Sequence, residues 1–271
     1  MAYYSASKSI ACHLMSIFFL KFLATPTLML AISLAARRWG SHVGGILSGL
    51  PVTSALVMLF LGLEQGSSFV LQAVPGAIAG VAAIQATYLF YISATRRLKI
   101  WVGCLSALAC YGLAAFLLNQ AASLAVSLAV ILCMVIAIVP RTSRMAGEGE
   151  AGYVPTPRWI IPMRMITATL LLLMITLSAE WLGPTISGLM APIPVIAWPL
   201  AVFAHLQGGR RELGAVVRGN AIGALGVAGF YLTLKYSVLQ LGISLSVTIA
   251  SLIAVLITLL AAHLLRARHT P

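Results

Sequence analysis

GSHVGGILSGLPVTSALVMLF, from Gly40 to Phe60, and GPTISGLMAPIPVIAWPLAVF, from Gly183 to Phe203, read as two versions of one segment. They lie 143 positions apart and share their first glycine, Pro51 with Pro194, and their last phenylalanine. The same offset, without a gap, pairs Lys21 with Arg164, Gly45 with Gly188, Gly66 with Gly209, Gly76 with Gly219, Gly80 with Gly223 and Tyr88 with Tyr231. Leucine and alanine matches carry little weight in so apolar a chain. Glycine matches carry more: roughly half a Gly–Gly pair is expected by chance over this stretch, and five occur. The second half is therefore read as a copy of the first.

Of 271 residues, 61% are hydrophobic and 8% charged, and the mean hydropathy is +1.03. A soluble domain cannot cover that much apolar surface, so the sequence implies an all-α polytopic membrane protein. The net charge of +12 sits in short clusters between apolar runs. Such clusters are too small and scattered for nucleic acid and read as orientation signals. Cys12, Cys104, Cys110 and Cys133 lie in apolar segments without metal-ligand spacing and are read as reduced fillers. The first apolar run is interrupted by Lys21 yet long enough to span, so it is read as retained rather than as a signal peptide.

Nine segments reach the length a bilayer requires, about 20 helical residues. They lie near 14–36, 43–63, 69–93, 100–118, 121–139, 159–179, 184–205, 213–233 and 242–265. Arg37, Arg38, Arg96, Arg97, Arg141, Arg144, Arg158, Arg210, Arg211, Arg266 and Arg268 follow odd-numbered spans, whereas the even exits carry Glu64, Glu180 or little charge. The odd exits are therefore cytoplasmic, with the N-terminus outside and the C-terminus inside. Repeat one (1–139) then holds five spans, 140–158 is a cytoplasmic linker, and repeat two (159–271) holds four. An odd count inverts the second copy, the arrangement of many secondary transporters. The fourth span is the one expected to lack a counterpart.

The quoted segments are the unusual ones. Proline removes a backbone donor and glycine weakens a helix, so the second span of each repeat should be broken or kinked near Gly49–Pro51 and Pro192–Pro194. Irregular backbone at membrane depth survives when buried in protein or lining a polar cavity. A candidate solute site follows: Gly49, Pro51, Thr53, Pro192, Pro194 and Asn220, with the paired intramembrane cations Lys21 and Arg164. The cations have a second reading, snorkelling to the headgroups. Gly76, Gly80, Gly219 and Gly223 form two Gly-x-x-x-Gly faces for helix packing.

The chain has no Asp, and its five Glu lie at helix ends or in loops. No carboxylate pair, metal-ligand set or phosphate-cradling loop is legible, so no catalytic residue, metal or cofactor is expected. His42 and His205 read as interfacial.

The strings RRWGSHVGGILSGLPVTSALVMLFLGLEQG and GPTISGLMAPIPVIAWPLAVFAHLQGG resemble signatures of a group of uncharacterised bacterial inner-membrane proteins. Their cores are distantly similar to the small GlpM-like membrane proteins, which carry an AGL-x-P-type segment once. The resemblance implies a bacterial inner-membrane location and supplies neither substrate nor site residues. The function expected is a transporter or permease for a small solute, with an anion favoured by the cations, working by alternating access. The competing expectation is a non-catalytic accessory or scaffold protein of envelope lipid or polysaccharide assembly. Membrane lipids and a small solute are the expected partners; a homo-oligomer is compatible with the sequence.

Overall fold

The computed structural model describes residues 50–121, 123–145, 159–193 and 197–267, together with 21–23, 25–27, 30, 31, 34 and 38. Among the described residues every regular element is helical: α1 Val52–Gln65, α2 Ser67–Ala94, α3 Ile100–Ala121, α4 Leu124–Met145, α5 Ile160–Leu177, α6 Ala179–Met190, α7 Ala197–Leu241 and α8 Ile243–Ala267. The described residues of 21–38 are helical as well. Five stretches are long and apolar enough to cross a bilayer: Ser67–Ala94, Ile100–Ala121, Leu124–Met145, Gly208–Leu241 and Ile243–Leu265.

Burial ranks these helices. The apolar window of α2 is 67% buried and that of Gly208–Leu241 is 50% buried, against 17% for α3 and 28% for α4 and α8. α2 and the long arm of α7 are therefore central, and the other three turn a broad apolar face outward. Trp101, Leu105 and Phe116 of α3 and Leu252, Leu256 and Leu259 of α8 are exposed. In water such faces would be costly; in lipid they are the solvated surface.

Glycines make the corners. Gly66 (φ 89°, ψ 166°) joins α1 to α2, and Gly209 (φ 64°, ψ −156°) breaks α7 into 197–208 and a long arm, 210–241. Both occupy a backbone region that is essentially glycine-only, and 143 positions separate them. The loop expected between 205 and 213 is thus reduced to one residue. At 1.5 Å per residue the arm is about 48 Å long, beyond the roughly 30 Å hydrocarbon core, so its basic start can project into the headgroups. α3 and α8 start at Ile100 and Ile243, again 143 apart.

Each quoted segment carries a helix boundary beside a proline. Regular helix begins at Val52 with Pro51 as N-cap; Gly49 lies outside the described residues. In the second segment α6 ends at Met190, Ala191 and Pro192 form a turn, and helix resumes at Ala197; Pro194 lies outside the described residues. Gly183 (φ 72°, ψ 172°) also bends α6. Residues 140–145, expected in the linker, instead continue α4 through Pro140 to Met145.

Candidate functional site

Gly76 and Gly80 do not pair α2 with a second long helix. A Cβ on Gly76 would collide with the Thr185 carbonyl oxygen, and one on Gly80 would strike the Leu189 carbonyl and Pro192. From the other side, a Cβ on Gly188 would strike the Ala73 carbonyl. The backbone of the broken segment therefore lies directly on α2, and the missing side chains on both surfaces permit it. Gly219 and Gly223 are buried on the long arm.

α2 and the long arm run antiparallel. Gln85 Nε2 donates to Asn220 Oδ1 at 3.1 Å, and one end further on Arg210 donates to the Ile92 carbonyl at 3.2 Å. Gln85 Oε1, Tyr88 Oη and Ser187 Oγ are buried without a hydrogen-bond partner among the described residues. Tyr88 and Tyr231 are fully buried and correspond at the 143-residue offset. Each belongs to one half and packs against the second span of the other. The Tyr88 ring lies 5.7 Å from Trp198, and Ser54 is a polar neighbour of the Tyr231 hydroxyl. Ser54 and Trp198 each lie in the first turn of the helix that opens at Val52 or Ala197. An unpartnered buried hydroxyl costs about 1–3 kcal/mol, and that of Tyr88 carries this cost. Hydroxyls and carboxamides can strip and replace the hydration of a small polar solute, and they carry no charge.

Both ends of this seam are tied. At the Gly66 end, Lys21 Nζ donates to Glu64 Oε1 at 2.5 Å and to Thr176 Oγ1 at 2.8 Å, over the Phe60 ring. Lys21 is 1% exposed and the Glu64 side chain 16%. Lys21 therefore neither snorkels nor stands alone: a carboxylate matches its charge within the fold, where burial without a partner would be prohibitive. At the opposite end of α2, Tyr91 Oη and His205 Nδ1 share a 3.1 Å hydrogen bond, and the Tyr91 ring packs on Trp198 at 5.2 Å. His205, expected at the interface, is buried.

Of the residues anticipated from sequence, Asn220 is in the seam, Pro51 and Pro192 are buried at the breaks, and Thr53 is half-buried in the first turn of α1. Arg164 lies on α5, its side chain outside the described set. Sequence reasoning missed Tyr88, Tyr231, Ser54, Ser187 and the Lys21–Glu64 pair, whereas Gln85 and Asn220 stood out as polar residues able to bond across helices. The Tyr88/Tyr231 match was the available signal.

The chain matches no protein-family profile, and comparison with curated proteins and with solved structures finds no match.

Proposed function

We propose that the protein is an integral inner-membrane transporter of a small polar solute, with a binding seam between α2 and the long arm of α7. The observation that carries this reading is the pair Tyr88 and Tyr231, equivalent at the 143-residue offset, fully buried, and set against Trp198 and Ser54 of the opposite quoted segments. Polar groups at membrane depth default to function, and transporters place their sites between repeats beside broken helices.

In this reading nine spans form two inverted repeats, with Gly66 and Gly209 as equivalent corners. The N-terminus is outside and the C-terminus cytoplasmic. The basic ends of α2, α4 and the long arm meet at one end of α2, and Glu64, Lys21 and Thr176 meet at the other. That grouping agrees with the sidedness drawn from charge. Lys21–Glu64–Thr176 is the outer tie between halves, and Tyr91–His205 with Arg210–Ile92 the inner tie. Alternating access opens one tie while the other holds. The seam's neutral donors suit a hydroxylated or zwitterionic solute as well as an anion.

A thermal-shift screen of small solutes on the purified protein tests this. A ligand that raises the apparent Tm of the wild type and not of Tyr88→Phe/Tyr231→Phe supports it. An equal shift in the double variant removes the seam from the site. The close α2–α6 backbone packing then favours the accessory or scaffold reading.

A further inference from the structure

α1 is too short to cross a bilayer. Its 14 residues span about 21 Å at 1.5 Å per residue, against a hydrocarbon core of roughly 30 Å. One end lies beside the seam, at Ser54, and the other reaches the exposed corner at Gly66. Both ends are joints. Pro51 has no N–H to continue a helical ladder and holds a non-helical backbone (φ −75°, ψ 34°). Gly66 turns the chain into α2, and a Cβ there would meet no atom within 4 Å. The corner can therefore turn without repacking a side chain.

The Gly66 end of α1 is fastened by one polar contact. Glu64 is the only charged residue of α1, and Lys21 is its hydrogen-bond and ion-pair partner. Lys21 belongs to the helical residues of 21–38 and also bonds Thr176 of α5, so the contact ties α1 to two neighbours. A lone glutamate at a helix end would face the headgroups. Glu64 is instead drawn onto an ammonium that is 1% exposed. Such an attraction is strong in contact and weak once water separates the charges, so it holds or releases as a unit. Apolar contact supplements it: a Cβ on Gly62 would touch the Ile243 side chain at the start of α8. The second half is built alike. Helix 197–208 ends at the Gly209 corner, and its one titratable residue, His205, makes the hydrogen bond to Tyr91.

We infer that α1 is the outer gate of the seam, pivoting at Pro51 and latched by Lys21–Glu64. Val52 and Glu64 lie about 18 Å apart along the helix, so a swing of about 20°, the scale of a proline kink, moves the Glu64 end by about 6 Å. The moving part is this short helix, while α2 and the long arm stay fixed. What the gate admits rests on the transport reading; the motion itself needs no solute.

The test is double electron–electron resonance on the full chain in phosphatidylcholine vesicles, with Cys12, Cys104, Cys110 and Cys133 replaced by serine. Nitroxides on cysteines at Leu63 and Gln120 report the gate, and those at Gln120 and Tyr236 report the frame; all three positions are exposed. The wild type should give one distance for each pair. Lys21→Met/Glu64→Met should add a population displaced by up to about 6 Å in the gate pair and none in the frame pair. Its Tm verifies folding, and Glu64→Asp, a milder release, should add a smaller population. Cross-linking gives a second reading. An ideal Cβ on Gly62 lies 3.1 Å from the Ile243 Cβ, near the disulfide range of about 3.5–4.5 Å. Oxidation of Gly62→Cys/Ile243→Cys should therefore be fast with the latch intact and slower in the double methionine background. The inference is overturned if the gate pair keeps its wild-type distribution in the double variant, if cross-linking is equally fast in both backgrounds, or if the frame pair shifts as much as the gate pair. A mobile α1 in a chain that no solute stabilises keeps the gate and sinks the transport reading. A tyrosine-dependent ligand shift with a still α1 does the reverse.

Discussion

Breaking the Lys21–Glu64 pair should cost far more than breaking a surface ion pair, and the two halves should cost different amounts. Exposed pairs contribute about 0–1 kcal/mol, whereas removing one partner of a buried pair costs about 3–5 kcal/mol because the other charge is left without compensation. The burial is unequal: Lys21 is 1% exposed and Glu64 16%. In Lys21→Met the remaining carboxylate can regain some water, which puts the loss near the lower limit, about 3 kcal/mol. In Glu64→Gln the remaining ammonium is sealed, with Thr176 Oγ1 at 2.8 Å as its main polar contact, which puts the loss near the upper limit, about 5 kcal/mol. Lys21→Met/Glu64→Met removes both charges and keeps apolar bulk, so it should lie within about 1.5 kcal/mol of wild type. Equilibrium unfolding of the three variants in mixed detergent micelles completes a double-mutant cycle. Single losses below about 1 kcal/mol, or a double variant equal to the sum of the singles, would refute the buried pair.

Tyr88→Phe and Tyr231→Phe should each leave the closed fold as stable or up to about 1–3 kcal/mol more stable, while abolishing ligand-dependent stabilisation; a loss of stability would mean the hydroxyls have structural partners. Gly66→Ala and Gly209→Ala meet no neighbouring atom, so both should lose about 1–3 kcal/mol from backbone strain alone and by similar amounts. Gly188→Ala, against the Ala73 carbonyl, should lose as much from steric collision, read by the same unfolding assay. Single cysteines beside Arg97, Ser143 and Arg210 should label only from the cytoplasm and those beside Glu64 and Glu180 only from outside; Glu64 and Glu180 on opposite faces would contradict the inverted repeat.

The membrane class was legible because composition alone excludes a soluble core. Helix boundaries at the proline segments were legible too, since Pro51 and Pro192 act through backbone chemistry that no tertiary context removes. The one-residue corners were not. Gly66 and Gly209 stood out as a match, but a glycine match does not reveal that φ is positive or that a loop has collapsed to a single residue. Pro140 signalled a linker and instead sits within α4, where neighbouring α2 and α7 hold the helix together. Reading Glu64 as a loop residue hid its pairing with Lys21, because that contact joins residues 43 positions apart across two spans. Tyr88 and Tyr231 showed in the sequence only as a match at the repeat offset, and only packing reveals that both are fully buried.

The central claim is that the polar seam opens to water from one side and then from the other. Ser54 and Ser187, 4% and 0% exposed, mark it in the closed form. Each is replaced by cysteine in a chain whose Cys12, Cys104, Cys110 and Cys133 are serine. A small impermeant thiol reagent is then applied to right-side-out and inside-out vesicles. The account predicts slow labelling of both positions from both faces, with outside labelling accelerated when Lys21→Met/Glu64→Met releases the outer tie. No labelling from either face, under conditions that label a cysteine at Glu180, would contradict it and leave the seam a solid packing core.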